Sequence, residues 1–214
     1  MKKLIFSSFI LPALLSANAT ASQFSYTHLD LGYLNGSAET PVDEIDLDLE
    51  GFVAKGRIQI AEGFFGYLGY EDGEIETDAN GIPDESLDTL RLTAGLGGYG
   101  SICDSADVYY GIGYKYTELE TSGIEQELGN IDLHVGIRWA PTSWLEVNPH
   151  LEQSFGVSDD DLDAVDTTTI GLNLYVTAID YVKPFAGISY ELDTSDDSLV
   201  EDTLLYSVGL RLSF

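Results

Sequence analysis

Two short stretches of the chain place a histidine two residues away from an aspartate. They pair His28 with Asp30 and Asp132 with His134. Residues i and i+2 of a β-strand point to the same face, so a strand would hold each carboxylate beside its imidazole. A histidine oriented by an aspartate is suited to act as a general base. The interpretation that we favour is that both pairs belong to a structural network of ion pairs.

A second candidate site is the acidic segment EIETDANGIPDE at 74–85, which carries the pattern E-x-D-x-N-G-x-x-D. Oxygen ligands at alternate positions, with a glycine for the sharp turn, are typical of calcium loops. The proline at position 83 and the missing glutamate at the twelfth position depart from that pattern. A solvated acidic loop therefore stays open as the alternative. The potential metal ligands are Glu76, Asp78, Asn80 and Asp84.

The first 21 residues have the three parts of a secretory signal peptide. A basic start, Met1-Lys2-Lys3, precedes an apolar run at 4–15, and SANATA offers small residues for cleavage after Ala21. We expect a signal peptide at 1–21 and one domain at 22–214. Cleavage removes two of the nine Lys and Arg, leaving seven against 37 Asp and Glu. Such acidity opposes binding to nucleic acid.

Ten segments alternate apolar and polar residues with a period of two, which predicts β-strands. They span 24–34, 47–60, 63–72, 87–99, 107–118, 131–140, 144–156, 167–177, 181–192 and 203–214. Short and long connections alternate between them, and the long ones span 35–46, 73–86, 119–130, 157–166 and 193–202. The long connections hold 22 Asp or Glu and no Lys or Arg. This sorting is typical of outer-membrane barrels and predicts a ten-stranded antiparallel up-and-down transmembrane β-barrel with periplasmic termini.

All seven Lys and Arg beyond the signal peptide lie in predicted strands, on the polar face. Arg138, for example, lies opposite Ile137 and Trp139. A soluble sandwich would turn that face to water, whereas a barrel would turn it to a narrow lumen in which charges must pair. We favour the barrel because no cation lies in a predicted loop. The predicted lumen network contains Lys55, Arg57, Arg91, Lys115, Asp132, His134, Arg138, Glu146, His150, Glu152, Lys183, Glu191 and Arg211.

The last eight residues, SVGLRLSF, resemble the C-terminal assembly signal of bacterial outer-membrane barrels. The matching positions are Ser207, Gly209, Leu212 and Phe214. Stretches such as YTHLDLGYLNG and DVYYGIGYKYTELE look like the small outer-membrane β-barrel proteins of Gram-negative bacteria, within the OmpA-like barrel group. The resemblance implies the barrel domain alone, an outer-membrane location, and recognition of the last strand by the barrel assembly machinery.

Barrels of this kind serve as anchors, adhesins, enzymes or pores, so the resemblance does not specify a role. We expect a non-enzymatic protein with a structural or surface-interaction role, whose partners are outer-membrane lipid and lipopolysaccharide. Ca²⁺ or Mg²⁺ could bridge the acidic loops to lipopolysaccharide phosphates. A narrow passive pore is the main alternative, because glycines on the inner face leave space. The Asp/His pairs also resemble those of omptin proteases, but omptin chains are considerably longer.

Overall fold

The computed structural model describes residues 23–39, 46–78, 86–121, 124–157, 166–179, 181–193 and 202–214. Ten strands run through them: β1 (His28–Glu39), β2 (Asp46–Ala61), β3 (Phe64–Asp78), β4 (Ser86–Cys103), β5 (Ala106–Thr121), β6 (Ile124–Thr142), β7 (Leu145–Gly156), β8 (Thr167–Val176), β9 (Val182–Asp193) and β10 (Asp202–Ser213). Each strand pairs antiparallel with the next, and β10 pairs with β1 to close the barrel. The predicted fold class is confirmed. None of the described residues forms a helix able to cross a membrane. The predicted signal peptide lies outside the described residues.

The two faces of the wall differ in polarity. Large apolar side chains point outward and stay exposed, such as Leu68 at 67% and Val208 at 58%. Charged side chains point inward and are buried, such as Asp132 at 2% and Arg138 at 1%. Soluble monomers rarely expose an apolar surface of this extent, whereas a hydrocarbon layer is a favourable environment for it.

The two ends of the barrel also differ. We call the end with residues 23 and 214 and the short turns the terminal end, and the opposite one the loop end. Strands β2–β6 contain 15 to 19 residues, more than the 10 to 12 of β7–β10. Strand β6 pairs with β7 from Asn130 onward, so its first residues pair with β5 alone. The wall formed by β2–β6 therefore rises further at the loop end.

This extension corrects two predicted loops. The segment 73–78 belongs to β3, and 119–121 and 124–130 belong to β5 and β6. The ladder between β5 and β6 continues up to the pair Thr121 and Ile124. The prediction failed because it used apolar alternation to bound the strands. The part of a strand that faces lipid takes about 9–11 residues. Beyond it, backbone hydrogen bonds extend the hairpin even though the added residues form no apolar face.

The start of the first strand was also predicted wrongly. Strand β1 begins at His28, and 24–27 are not part of it. Phe24 and Tyr26 are buried at 8% and 0% exposure, and Tyr26 packs against rings from β3 and β4. Their alternation looks like that of a strand, but the segment turns into the barrel.

Candidate functional site in the barrel lumen

Four aromatic residues occupy the lumen at the terminal end: Phe24, Tyr26, Phe65 and Tyr99. We call this group the aromatic plug. The ring of Tyr26 stacks on Tyr99 with centroids 3.8 Å apart and lies 5.5 Å from the ring of Phe65. Tyr26 and Phe65 have no exposed surface. Solvent is therefore excluded from the centre of the lumen at this end.

Hydrogen bonds hold the N-terminal segment in this position. The Arg138 guanidinium donates to the backbone oxygen of Ser25 at 2.7 Å and lies over the rings of Phe24 and Tyr26, 4.7 and 5.0 Å from their centroids. The Ser25 hydroxyl donates to the Phe214 oxygen at 3.0 Å. The Phe214 amide donates to the Thr27 oxygen at 3.1 Å. The segment that supplies half of the plug is thus fixed to the last residue of the chain.

A chain of buried ion pairs lies next to the plug. Arg138 donates twice to Glu146, at 2.6 and 3.0 Å. Arg211 lies 3.5 Å from the same carboxylate and donates twice to Asp30, at 2.6 and 2.7 Å. Arg211 also donates to the Tyr175 hydroxyl at 2.8 Å. Two cations and two carboxylates balance in this group, as burial of charge requires.

Two further ion-pair groups lie nearer the loop end. In one, Glu71 accepts from Lys55 at 2.7 Å and from Arg91 at 3.3 Å, and Arg91 reaches Glu191 at 3.8 Å. Glu71 lies on β3, between Lys55 on β2 and Arg91 on β4. Glu191 lies on β9, across the lumen. The cations of this group therefore link separate parts of the wall.

The other group is centred on Lys115 of β5. Its ammonium contacts Glu152, lies 3.5 Å from Asp132 and donates to the Ser154 hydroxyl at 2.9 Å. Ser154 in turn donates to Asp132 at 3.1 Å. All the side chains around this cation are therefore satisfied by one another.

The structure places nine of the thirteen predicted network residues in these three groups, and His134 lies beside Asp132. Arg57 lies over the rings of Tyr109 and Phe65. His150 instead lies with its Nδ1 3.4 Å from the Asn148 backbone oxygen, and Lys183 lies on β9 opposite Arg211 in the register of β10. Glu71 is the network residue that the sequence did not predict. Glu71 was missed because Phe65 and Tyr67 also point inward on β3, which hides the polar face of that strand.

The two Asp/His pairs differ in the structure. His134 Nδ1 lies 3.6 Å from the Asp132 carboxylate, which is within ion-pair distance but beyond that of a hydrogen bond. Both oxygens of Asp30 instead accept from Arg211, and His28 Nδ1 has no hydrogen-bond partner in the described part of the chain. Of the two predicted pairs, Asp132 and His134 are therefore the one that lies within ion-pair distance.

A cavity of about 210 Å³ lies inside the barrel. It is lined by residues of all ten strands, including His28, His134 and His150, which are the three histidines of the chain. Arg57 and Tyr67 line it as well. The cavity brings together polar and charged groups that are far apart in the sequence.

Only part of the predicted calcium loop falls within the described residues. Glu76 is exposed on β3, and Asp78 is the last residue of that strand. Asn80 and Asp84 lie outside the described residues. Among the residues that the structure describes, no three His, Cys, Asp or Glu side chains are arranged to hold a metal ion.

Carboxylates are concentrated on the outer face of the extension formed by β2–β6. Glu50, Glu74, Asp88 and Glu120 are cross-strand neighbours in that order and are all exposed. Side chains directly opposite on neighbouring strands have Cβ atoms about 4.5–5.5 Å apart, so like charges there repel. We call these four residues the acidic row. The Tyr33 hydroxyl donates to Glu50 at 2.7 Å.

The residues of the predicted assembly signal lie along β10. Ser207 and Gly209 are on the lumen side, and Leu212 and Phe214 are on the outer side, with Phe214 76% exposed. A Cβ at position 209 would lie 2.7 Å from the Phe185 ring. Any side chain larger than hydrogen would therefore clash at this position.

Comparisons with known proteins agree with the fold. A scan against protein-family models finds no match, and a search of curated proteins finds none either. Three solved structures are similar to this chain over most of its length. The translocator domain of the autotransporter NalP from Neisseria meningitidis is 11% identical, with 95% of this chain and 93% of that chain covered and a TM-score of 0.52.

The β domain of the Bordetella autotransporter BrkA is 12% identical, with 88% and 100% covered and a TM-score of 0.51. The outer membrane protein OprG from Pseudomonas aeruginosa is 13% identical, with 89% and 97% covered and a TM-score of 0.46. The fold is that of the outer-membrane β-barrels.

Proposed function

We propose that this chain is an outer-membrane barrel with a sealed lumen, without enzymatic activity, that acts at its acidic loop end. The observation that carries the proposal is the aromatic plug. Tyr26 and Phe65 are fully buried where a pore would need an open path. Small barrels are filled by their own side chains, and the ion pairs of Arg138 and Arg211 continue the filling from the plug into the lumen.

The exposed apolar wall supports placement in the outer membrane, with both termini in the periplasm. In that orientation the extension of β2–β6 stands outside the membrane, among lipopolysaccharide phosphates. The acidic row would be repelled by those phosphates unless divalent cations bridge them. The proposed partners are therefore lipid and lipopolysaccharide through Ca²⁺ or Mg²⁺, and the barrel assembly machinery during insertion.

A narrow passive pore is the second candidate, and the cavity of about 210 Å³ favours it. Planar-bilayer conductance of the refolded protein separates the two. We expect no stepwise conductance from the unaltered protein, and conductance from the double variant Phe24→Ala, Tyr26→Ala, which removes the N-terminal half of the plug. The matched control is Tyr114→Ala, since Tyr114 points outward and is 48% exposed. Stable conductance steps from the unaltered protein would show that the lumen is a pore.

A further inference from the structure

We propose that the lumen cavity is a binding site for a small oxyanion, held by Arg57, the Tyr67 hydroxyl and the imidazoles of His28 and His134. This inference concerns the interior of the barrel and is independent of the role of its acidic loop end. The four side chains of the proposed site all line the same cavity of about 210 Å³.

Arg57 differs from the other arginines of the lumen. Arg91, Arg138 and Arg211 each contact a carboxylate within 4 Å. The guanidinium of Arg57 lies over two rings instead, 4.3 Å from the centroid of Tyr109 and 5.0 Å from that of Phe65. Among the described residues it forms no ion pair. A cation inside a barrel wall without a counter-charge is unfavourable, and an anion in the cavity would supply one.

The carboxylates that line the cavity are occupied by other cations. They are Asp30, Glu71, Asp132, Glu152 and Glu191, and each forms an ion pair with Arg211, Lys55, Lys115 or Arg91. None of these pairs includes Arg57. These five carboxylates serve four cations, because Lys115 contacts both Asp132 and Glu152 and Arg91 contacts both Glu71 and Glu191. In this arrangement none of them forms an ion pair with Arg57, and an anion in the cavity would give its guanidinium a direct counter-charge.

Three buried polar atoms that have no hydrogen-bond partner among the described residues surround the same cavity: His28 Nδ1, the Tyr67 hydroxyl and His134 Nε2. His28 is 4% exposed. An unsatisfied polar atom in a protein interior is unfavourable, so several in one place point to a missing partner.

The strand register explains why these groups meet. Arg57 on β2 is the cross-strand neighbour of His28 on β1 and of Tyr67 on β3. The Tyr67 ring then reaches across the lumen to β6, where its centroid lies 4.8 Å from that of His134. A cation, a hydroxyl donor and two imidazoles that can donate through N–H therefore face one space.

The size and chemistry of the cavity fit a small oxyanion. An apolar cavity of about 150 Å³ accepts benzene, so 210 Å³ has room for a carboxylate or sulfate ion. The oxygens of such an ion accept hydrogen bonds from a guanidinium, a phenol and imidazole N–H groups at once. Water would satisfy the polar atoms but would not neutralise Arg57.

The three histidines allow a direct test, since every one lines the cavity. A chain of residues 22–214, refolded in detergent and labelled with ¹³C at histidine Cε1, is titrated at fixed pH and ionic strength. The added compounds are sodium acetate and sodium sulfate, with sodium chloride and glycerol as controls. We expect saturable shifts of the His28 and His134 signals with one or both oxyanions and no saturable shifts with the controls. Comparison of acetate with sulfate identifies the planar or tetrahedral ion as the better ligand.

Variants connect the shifts to the proposed contacts. Arg57→Gln should weaken binding by about tenfold or more, the effect of losing a hydrogen bond to a charged group. Lys55→Gln is the matched control, because Lys55 is a lumen cation of the same strand that already has a partner in Glu71. Tyr67→Phe removes one of the unpartnered atoms and little else, so it tests the site even if Arg57→Gln does not fold. Shifts that do not saturate, or dissociation constants unchanged in Arg57→Gln or in Tyr67→Phe, would overturn the proposal.

Discussion

Arg138→Met tests whether the inward ion pairs stabilise the barrel. The guanidinium of Arg138 donates to Glu146 at 2.6 and 3.0 Å and to the Ser25 oxygen at 2.7 Å. Both side chains of the pair are almost fully buried, at 2% and 1% exposure. After the substitution Glu146 keeps only Arg211, at 3.5 Å. Removing one partner of a buried pair costs about 3–5 kcal/mol, because the other charge is left uncompensated.

The measurement is urea unfolding of the protein refolded into lipid vesicles. With an m value of about 1–3 kcal/mol/M, the lost stability should lower the midpoint by about 1 M or more. Ile137→Ala is the comparison on the same strand, since Ile137 points outward and is 39% exposed. It removes lipid-facing carbons worth about 2 kcal/mol at most. The double variant Arg138→Met, Glu146→Met should recover much of the loss, because replacing both members of a buried pair by apolar groups is often neutral.

Two results would refute this reasoning. Equal midpoints for Arg138→Met and Ile137→Ala would mean that the inward pair contributes no more than a lipid contact. A double variant as unstable as the single one would mean that the uncompensated Glu146 charge is not the cause of the loss. In that case the packing of the Arg138 stem against the plug would explain the destabilisation.

Two further predictions concern assembly and cations. Deleting Phe214, which is 76% exposed and hydrogen-bonded to Thr27 and Ser25, should leave export intact and lower the yield of heat-modifiable, membrane-embedded barrel; a normal yield would contradict the assembly role. Millimolar Ca²⁺ should raise the unfolding temperature in detergent more than Na⁺ does at equal ionic strength. The corresponding gain in the free energy of unfolding is ~2.7 kcal/mol at a hundredfold excess of Ca²⁺ over its dissociation constant. An unfolding temperature equal to that in Na⁺ would mean that the ions act by screening alone. If the effect is specific but survives Asp78→Ala with Asp84→Ala, the cations bind elsewhere on the acidic surface, with the acidic row as the next candidate.

Alternation with a period of two is a local property, and it was enough to predict the number and order of the strands. On β6 it also gave the faces correctly: Arg138 points inward while Ile137 and Trp139 point outward, as their exposure shows. The reason is that neighbouring side chains of a strand must lie on opposite faces. Once lipid lies on one side and a narrow lumen on the other, polarity assigns each residue to its side without knowledge of its neighbours in space.

The partners inside the lumen depended on the tertiary structure. Arg138 lies 113 residues from Ser25 and Arg211 lies 181 residues from Asp30, so no local pattern pairs them. The same holds for the turn of Tyr26 into the barrel, because its alternation matches a strand. The closed register decides which side chains share a level of the lumen and which lie across it. Only that arrangement determines which cation meets which carboxylate, and it leaves Arg57 over two aromatic rings without a carboxylate of its own among the described residues.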